Sequence, residues 1–210
     1  MRHLAGLLVL AGLAGLTGCG GPRAYPPTGI DGLRIPMPSP RAADFVARID
    51  NPWLPLSVRG RWVYGVQPSG QRIVTVTGRV RVAGVETVRV VTRARGAGSG
   101  TAVDDYAQDR AGNVWWFAHR GPDGRWQAGV GGAEAGLAVP AHPRLGDGFR
   151  MAYRPGRVED IAEVVAVGSR SFTLDVTSPL EPGAVTRLTY GRGGLTSRIV
   201  AATGEVDTLE

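Results

Sequence analysis

The chain contains no lysine; all 24 of its strongly basic side chains are arginine. The ammonium group that a phosphate loop uses is therefore missing. The run Gly96-Ala97-Gly98-Ser99-Gly100, which no helical pattern follows, reads as a plain loop. There is one cysteine, Cys19, so no disulfide can form within the chain, and packing and hydrogen bonds must hold the fold. Three histidines without an H-x-x-x-H spacing leave any zinc site dependent on distant carboxylates. A Gly-x-Ser-x-Gly nucleophile elbow is also missing, as are a fixed-period repeat and a long amphipathic helix. No cofactor and no metal is expected.

The formal charge is +6 and loses one unit with Arg2. The arginines are scattered, and Arg79, Arg81, Arg89, Arg93 and Arg95 alternate with other residues as on the solvent face of strands. A phosphate-binding stripe would cluster them. Exclusive use of arginine fits a high-GC coding bias, and nucleic acid is not an expected partner.

What the chain does contain begins at its N-terminus. Arg2 and His3 precede an apolar run from Leu4 to Leu16, shorter than the about 20 residues needed to span a bilayer. It suits the h-region of a signal peptide. The run ends in Leu16-Thr17-Gly18-Cys19, which resembles a bacterial lipobox. The resemblance implies a diacylglyceryl thioether on Cys19, cleavage after Gly18, and an extracytoplasmic domain held at the cell membrane by its lipid. Two acyl chains suffice for stable anchoring. Residues 1–18 are then the signal, and residues 19–40, with Pro22, Pro26, Pro27, Pro36, Pro38 and Pro40, form a semi-rigid tether. Residues 41–210 are left as a single β-rich domain.

Arg41 to Ile49 places Phe45 and Ile49 at helical spacing, which predicts one short N-terminal helix ended by Asp50-Asn51-Pro52. Trp53-Leu54-Pro55-Leu56 follows as an apolar plug. From Gly60 onward short β-patterned segments alternate with turn signals, as at Ala83-Gly84 and Asp109-Arg110-Ala111-Gly112. Glu205–Leu209 reads as a possible edge strand. The expected fold is all-β: an antiparallel meander of roughly ten strands, in a barrel, half-barrel or sandwich.

Chemistry-bearing residues concentrate between Asp104 and Phe117. Asp104 and Asp105 must point to opposite faces of a strand, which disfavours a shared cation site. Asp109 is expected to cap a turn, with Gly112 supplying a positive φ. Trp115 and Trp116 must also face opposite ways, so one of them, with Trp126, is available to a ligand. Trp115, Trp116, Trp126, Asp104 and Asp109 are the candidate ligand-binding residues. His119 and His142 read as surface or hydrogen-bonded side chains. Glu159, Asp160 and Glu163 form a second acidic group. Glu159 and Glu163 sit on the order of 13 Å apart along one strand, a poor match to a glycosidase pair flanking one bond.

Asp50-Asn51-Pro52-Trp53 with Leu56, Tyr106 through Phe117, Trp126 with Gly129, Pro140 with Pro143, and Tyr153 through Asp160 resemble a family of uncharacterised secreted proteins and lipoproteins from high-GC bacteria. The resemblance implies export and a β fold, and it carries no activity. Trp116 and His119 stand where that family's pattern suggests tyrosine and an acidic residue. The expected function is a lipid-anchored envelope module that binds a hydrophobic or lipid-like molecule. A structural or protein-interaction lipoprotein and a carboxylate-dependent hydrolase are the alternatives. In cells fed a clickable fatty acid, the full chain should become labelled and sediment with membranes. Cys19→Ser should lose both properties; label persisting in that variant would refute the anchor.

Overall fold

The computed structural model describes residues 41–96 and 99–210. The signal, the tether and Cys19 lie outside the described residues. Among these described residues a single 3-10 turn, Ala42–Asp44, precedes fourteen strands. These are β1 (Phe45–Val46), β2 (Arg61–Gln67), β3 (Gly70–Val82), β4 (Val85–Gly96), β5 (Gly100–Asp109), β6 (Val114–Gly121) and β7 (Gly124–Gln127). They continue as β8 (Gly136–Val139), β9 (Gly148–Arg154), β10 (Val158–Val167), β11 (Ser171–Thr177), β12 (Val185–Gly191), β13 (Gly194–Val200) and β14 (Glu205–Leu209). The all-β expectation holds, with more strands than the roughly ten read from the sequence.

The predicted helix over 41–49 is replaced by that 3-10 turn and β1. An isolated helix of two or three turns is marginal in water. Here strand pairing offers more: Phe45 pairs with Asp109 and stands edge-on to Phe117, ring centroids 5.1 Å apart. Asp44 instead accepts the Arg41 backbone N–H at 2.8 Å and closes the turn.

Twelve strands form one antiparallel path, β7-β6-β5-β4-β3-β2-β14-β13-β12-β11-β10-β9, and curl into a nearly closed barrel. Glu205–Leu209 is therefore no edge. It lies between β2 and β13 and joins the first half of the chain to the last. At the remaining gap β8, absent from the sequence reading because of its glycine-rich surroundings, pairs with β6 and faces β9. The Glu134 N–H donates to the Tyr153 carbonyl at 3.0 Å, and Gly136 lies so close to the Met151 carbonyl that no β-carbon would fit between them.

Alternation sets what faces inward. Val76, Val88 and Val90 from β3 and β4, Ala162 and Val164 from β10, and Phe172 and Leu174 from β11 form the interior core. The outer wall carries charge in mid-strand. Arg89 and Asp105 form a two-pronged pair with both contacts at 2.8 Å, and Arg187 pairs with Asp175 at 2.7 Å. A lipid-facing barrel wall tolerates such charge poorly. Ala83-Gly84 makes the expected tight turn, with both residues at positive φ. The tip of that hairpin packs Val82 and Val85 onto Trp115 and Phe117, forming a second core outside the barrel.

One end of the barrel is stoppered by residues 49–56. Gln108 Oε1 accepts the backbone N–H of Asp50 (2.9 Å) and Asn51 (2.8 Å), while its Nε2 donates to Asp50 Oδ1 at 2.7 Å. The Asn51 side chain donates to the Gly112 carbonyl and accepts the Trp53 N–H, each at 2.8 Å. Trp53 is thereby held edge-on to Phe172 at 5.3 Å, with the Arg192 guanidinium over its ring. Gly136→Ala should destabilise the barrel by about 1–3 kcal/mol, the usual cost of overpacking, read from its urea midpoint. An unchanged midpoint would show that β8 does not seal the wall.

Candidate functional site

Above the stopper the barrel holds an open-mouthed cavity of about 540 Å³, within the range of about 300–1,000 Å³ found for ligand pockets. Its walls are largely apolar and include Leu56, Val74, Val90, Tyr106, Trp116 and Leu188. Pro122 and Asp123 of the β6–β7 turn and Thr203 of the β13–β14 turn stand at its rim.

A β-bulge arranges one polar wall. From the turn at Asp109, β5 and β6 pair in regular register through Gln108↔Val114, Ala107↔Trp115 and Tyr106↔Trp116. One residue of β6 is then skipped, so Asp105 pairs with Ala118 and Asp104 with His119. Phe117 and Ala118 both turn to the outer core, and His119 joins Trp116 on the inner face. Asp104 Oδ1 accepts the Trp116 indole N–H at 3.1 Å and lies 2.7 Å from His119 Nδ1. On the far side, His119 Nε2 is 2.9 Å from Asp123 Oδ1. Tyr106 stacks on Trp116 with centroids 6.0 Å apart, and Trp126 meets Trp116 edge-on at 5.2 Å. A smaller hollow of about 310 Å³ lies across this wall, sharing Trp116, His119 and Asp123 and adding Trp126 and Asp160.

The opposite wall is an ion network on β3, β13 and β14. Arg72 contacts Glu205 and Asp207, each at 2.9 Å, and Arg198 contacts the same two carboxylates at 2.6 and 3.3 Å. Asp207 is 1% exposed, and its Oδ1 has no hydrogen-bond partner. The adjacent Asp207 charge and, above all, burial push the Tyr64 phenol up to about 12.

Of the residues singled out from sequence, Asp104 and Trp116 line the cavity and Trp126 lines the adjoining hollow. Trp115 and Asp109 are elsewhere. Trp115 is buried in the outer core, and its indole N–H donates to Asp109 Oδ2 at 2.8 Å. Asp109 also accepts both the backbone and side-chain N–H of Asn113 at 2.9 Å, and Gly112 sits at φ 88°. That is the turn cap read from sequence. Asp104 and Asp105 do face opposite ways. Glu159 accepts the Gly156 N–H at 2.8 Å, and Glu163 is exposed on the outer wall while Asp160 faces the smaller hollow; the three do not converge. His119, Arg72, Arg198, Glu205 and Asp207 were not read as a site. Comparison with protein-family models, curated proteins and solved structures found no match for this chain.

Electrostatics fix the state of the Asp104 wall. Burial alone would lower the His119 pKa, but hydrogen bonds to Asp104 and Asp123, reinforced by both charges, raise it to about 9. Burial raises Asp104 against the opposing pull of His119 and Trp116. The hydrogen bond from His119 leads in lowering Asp123. His119 is thus an imidazolium at neutral pH, held between two carboxylates, with Asp160 also near enough to feel it. Because its pKa is raised on folding from 6.5, the stability that it contributes is complete below about pH 6.5 and is lost as pH rises through about 9. The chain has no lysine to obscure this window. Thermal unfolding should show wild-type stability falling by about 1–2 kcal/mol from pH 6.5 to 9.5, a full linkage value discounted for the solvent around Asp123. His119→Gln should flatten that fall, and an equal fall in both proteins would refute the assignment.

Proposed function

We propose that this chain is a binding module of the cell envelope, tethered through a lipid on Cys19 and carrying a hydrophobic or lipid-like molecule in its barrel. The observation that carries the reading is the cavity of about 540 Å³, apolar along its walls and stoppered at one end by Trp53 and Leu56. A folded domain normally fills its interior to crystal-like density, so a hollow of this size lined by Trp116, Tyr106 and Leu188 favours occupancy by a ligand. That Asp104, Trp116 and His119 of the β5–β6 hairpin line the cavity supports this reading over a protein-interaction surface formed by the same side chains.

The fourteen strands among the described residues lie between Phe45 and Leu209, so a chain of residues 20–210 retains them and the stopper. Native mass spectrometry of that chain should detect a co-purifying hydrophobic species in near-stoichiometric amount. The neutral dye N-phenyl-1-naphthylamine should bind and gain fluorescence. Ala102→Phe, which drives a ring into the cavity, should weaken dye binding at least tenfold. A wild-type protein with neither bound mass nor dye binding would remove the proposal.

A further inference from the structure

Every charged side chain on the cavity wall is already committed to one of opposite sign. Arg72 and Arg198 each contact Glu205 and Asp207, and both ring nitrogens of His119 are engaged by Asp104 and Asp123. Two uncharged groups are not committed. Of the cavity's tyrosines, Tyr64 donates its hydroxyl to the Leu195 carbonyl at 3.0 Å. The hydroxyls of Tyr106 and Tyr190 make no hydrogen bond among the described residues, and neither oxygen is one of the unpartnered side-chain atoms closed to water. Tyr106 is on β5 and Tyr190 on β12, with β4, β3, β2, β14 and β13 between them on the twelve-strand path, so they stand on opposite walls. Tyr190 is nevertheless close enough to bear on the ionisation of Tyr106. Both lie toward the stopper. Tyr190 stacks on Phe172 with centroids 5.1 Å apart, and Phe172 meets Trp53; Tyr106 stacks on Trp116, two residues along β5 from the Gln108 that holds Asn51. Burial raises both phenols above their ordinary pKa, so each keeps the proton it can donate.

A ligand that fills the cavity expels the water available to these hydroxyls, and a buried donor left without a partner costs free energy. An alkyl end supplies no acceptor, and an ammonium only donates. A carboxylate accepts, but it brings an unpaired charge among Tyr190, Leu188 and Val90. A carbonyl oxygen offers two lone pairs and no charge. Resting on the binding-module reading above, we infer that the cavity selects an uncharged hydrophobic molecule with a carbonyl end, of the ketone, quinone or ester class, whose oxygen accepts from Tyr106 and Tyr190. The carbonyl end seats toward the stopper, and the apolar body lies along Trp116, Val74 and Leu188.

Two compounds of nearly one shape, 2-acetylnaphthalene and 2-ethylnaphthalene, test this by displacing N-phenyl-1-naphthylamine from residues 20–210 at pH 7. An apolar hollow alone favours the less hydrated ethyl compound. In the wild type the ketone should bind at least as tightly as the ethyl compound, and the anion 2-naphthoate about tenfold or more weakly than the ketone. The double variant Tyr106→Phe, Tyr190→Phe keeps both rings and their stacking. In it the ratio of ketone to ethyl affinity should fall by about tenfold or more, the loss of two hydrogen bonds. If the double variant does not fold, at least one of the single variants must lower that ratio by about threefold or more. A ratio that the substitutions leave unchanged, naphthoate binding as tightly as the ketone, or bound dye that the ketone does not displace would overturn the carbonyl preference and leave the cavity proposal standing. A wild type with neither dye binding nor a co-purifying mass would overturn both.

Discussion

Closing a twelve-stranded antiparallel sheet encloses more room than its own side chains can fill, and the rest of this structure depends on that constraint. A barrel of about eight strands is just wide enough for inward side chains to pack across it; wider ones hold plugs, ligands or water. Here the segment before the first long strand serves as the plug. Its position is set by two polar residues: Gln108 fixes Asp50 and Asn51, and Asn51 in turn fixes Trp53. Each hydrogen bond adds only about 1 kcal/mol net. Their larger effect is to aim Trp53 at Phe172 and Leu56 into the interior core. One end is thus packed to a solid, and the surplus volume gathers at the other as the cavity.

Placing charge inside that surplus volume is costly unless each group is paired, and the two polar walls solve this differently. The β3–β13–β14 wall uses a four-membered network whose anchor, Asp207, is nearly inaccessible. It ties together the strands that unite the N- and C-terminal halves of the sheet, so the junction is reinforced by ion pairs as well as by the ladder. The β5–β6 wall uses an imidazolium between two carboxylates, one on the strand and one on the adjoining turn. Asp123 is largely exposed, so the turn at the rim is joined to the buried Asp104 through a single ring.

Much of the sheet was legible because alternation and turn residues are local. Ala83-Gly84, Asp109 with Gly112, and the opposed faces of Trp115 and Trp116 all follow from properties of a few neighbouring residues. The helix expected near Phe45 and the edge expected at Glu205–Leu209 failed for a common reason: partners far along the chain decide both segments. Phe45 pairs with Asp109, and Asp207 lies opposite Val66 and Arg198. The Asp104–His119 pair was hidden by one residue. Unbroken pairing from the turn would put Asp104 opposite Ala118; only the bulge brings His119 across from it and onto the inner face. Nothing in the local pattern of Phe117-Ala118 announces that skip.

The same bulge settles what kind of chemistry this wall supports. An aspartate beside a histidine inside a cleft invites comparison with hydrolytic triads, where the imidazole must present a free nitrogen to a nucleophile's proton. In this protein both ring nitrogens are committed, to Asp104 at 2.7 Å and to Asp123 at 2.9 Å. With its pKa raised to about 9, the ring is already protonated at neutral pH. An imidazolium clamped on both sides has no lone pair to offer, so it cannot act as a general base there. What it can do is oppose the rise that burial imposes on Asp104 and keep the rim turn in place. The wall is thus a fixed, fully committed polar surface, set beside the apolar face of Trp116 and Tyr106.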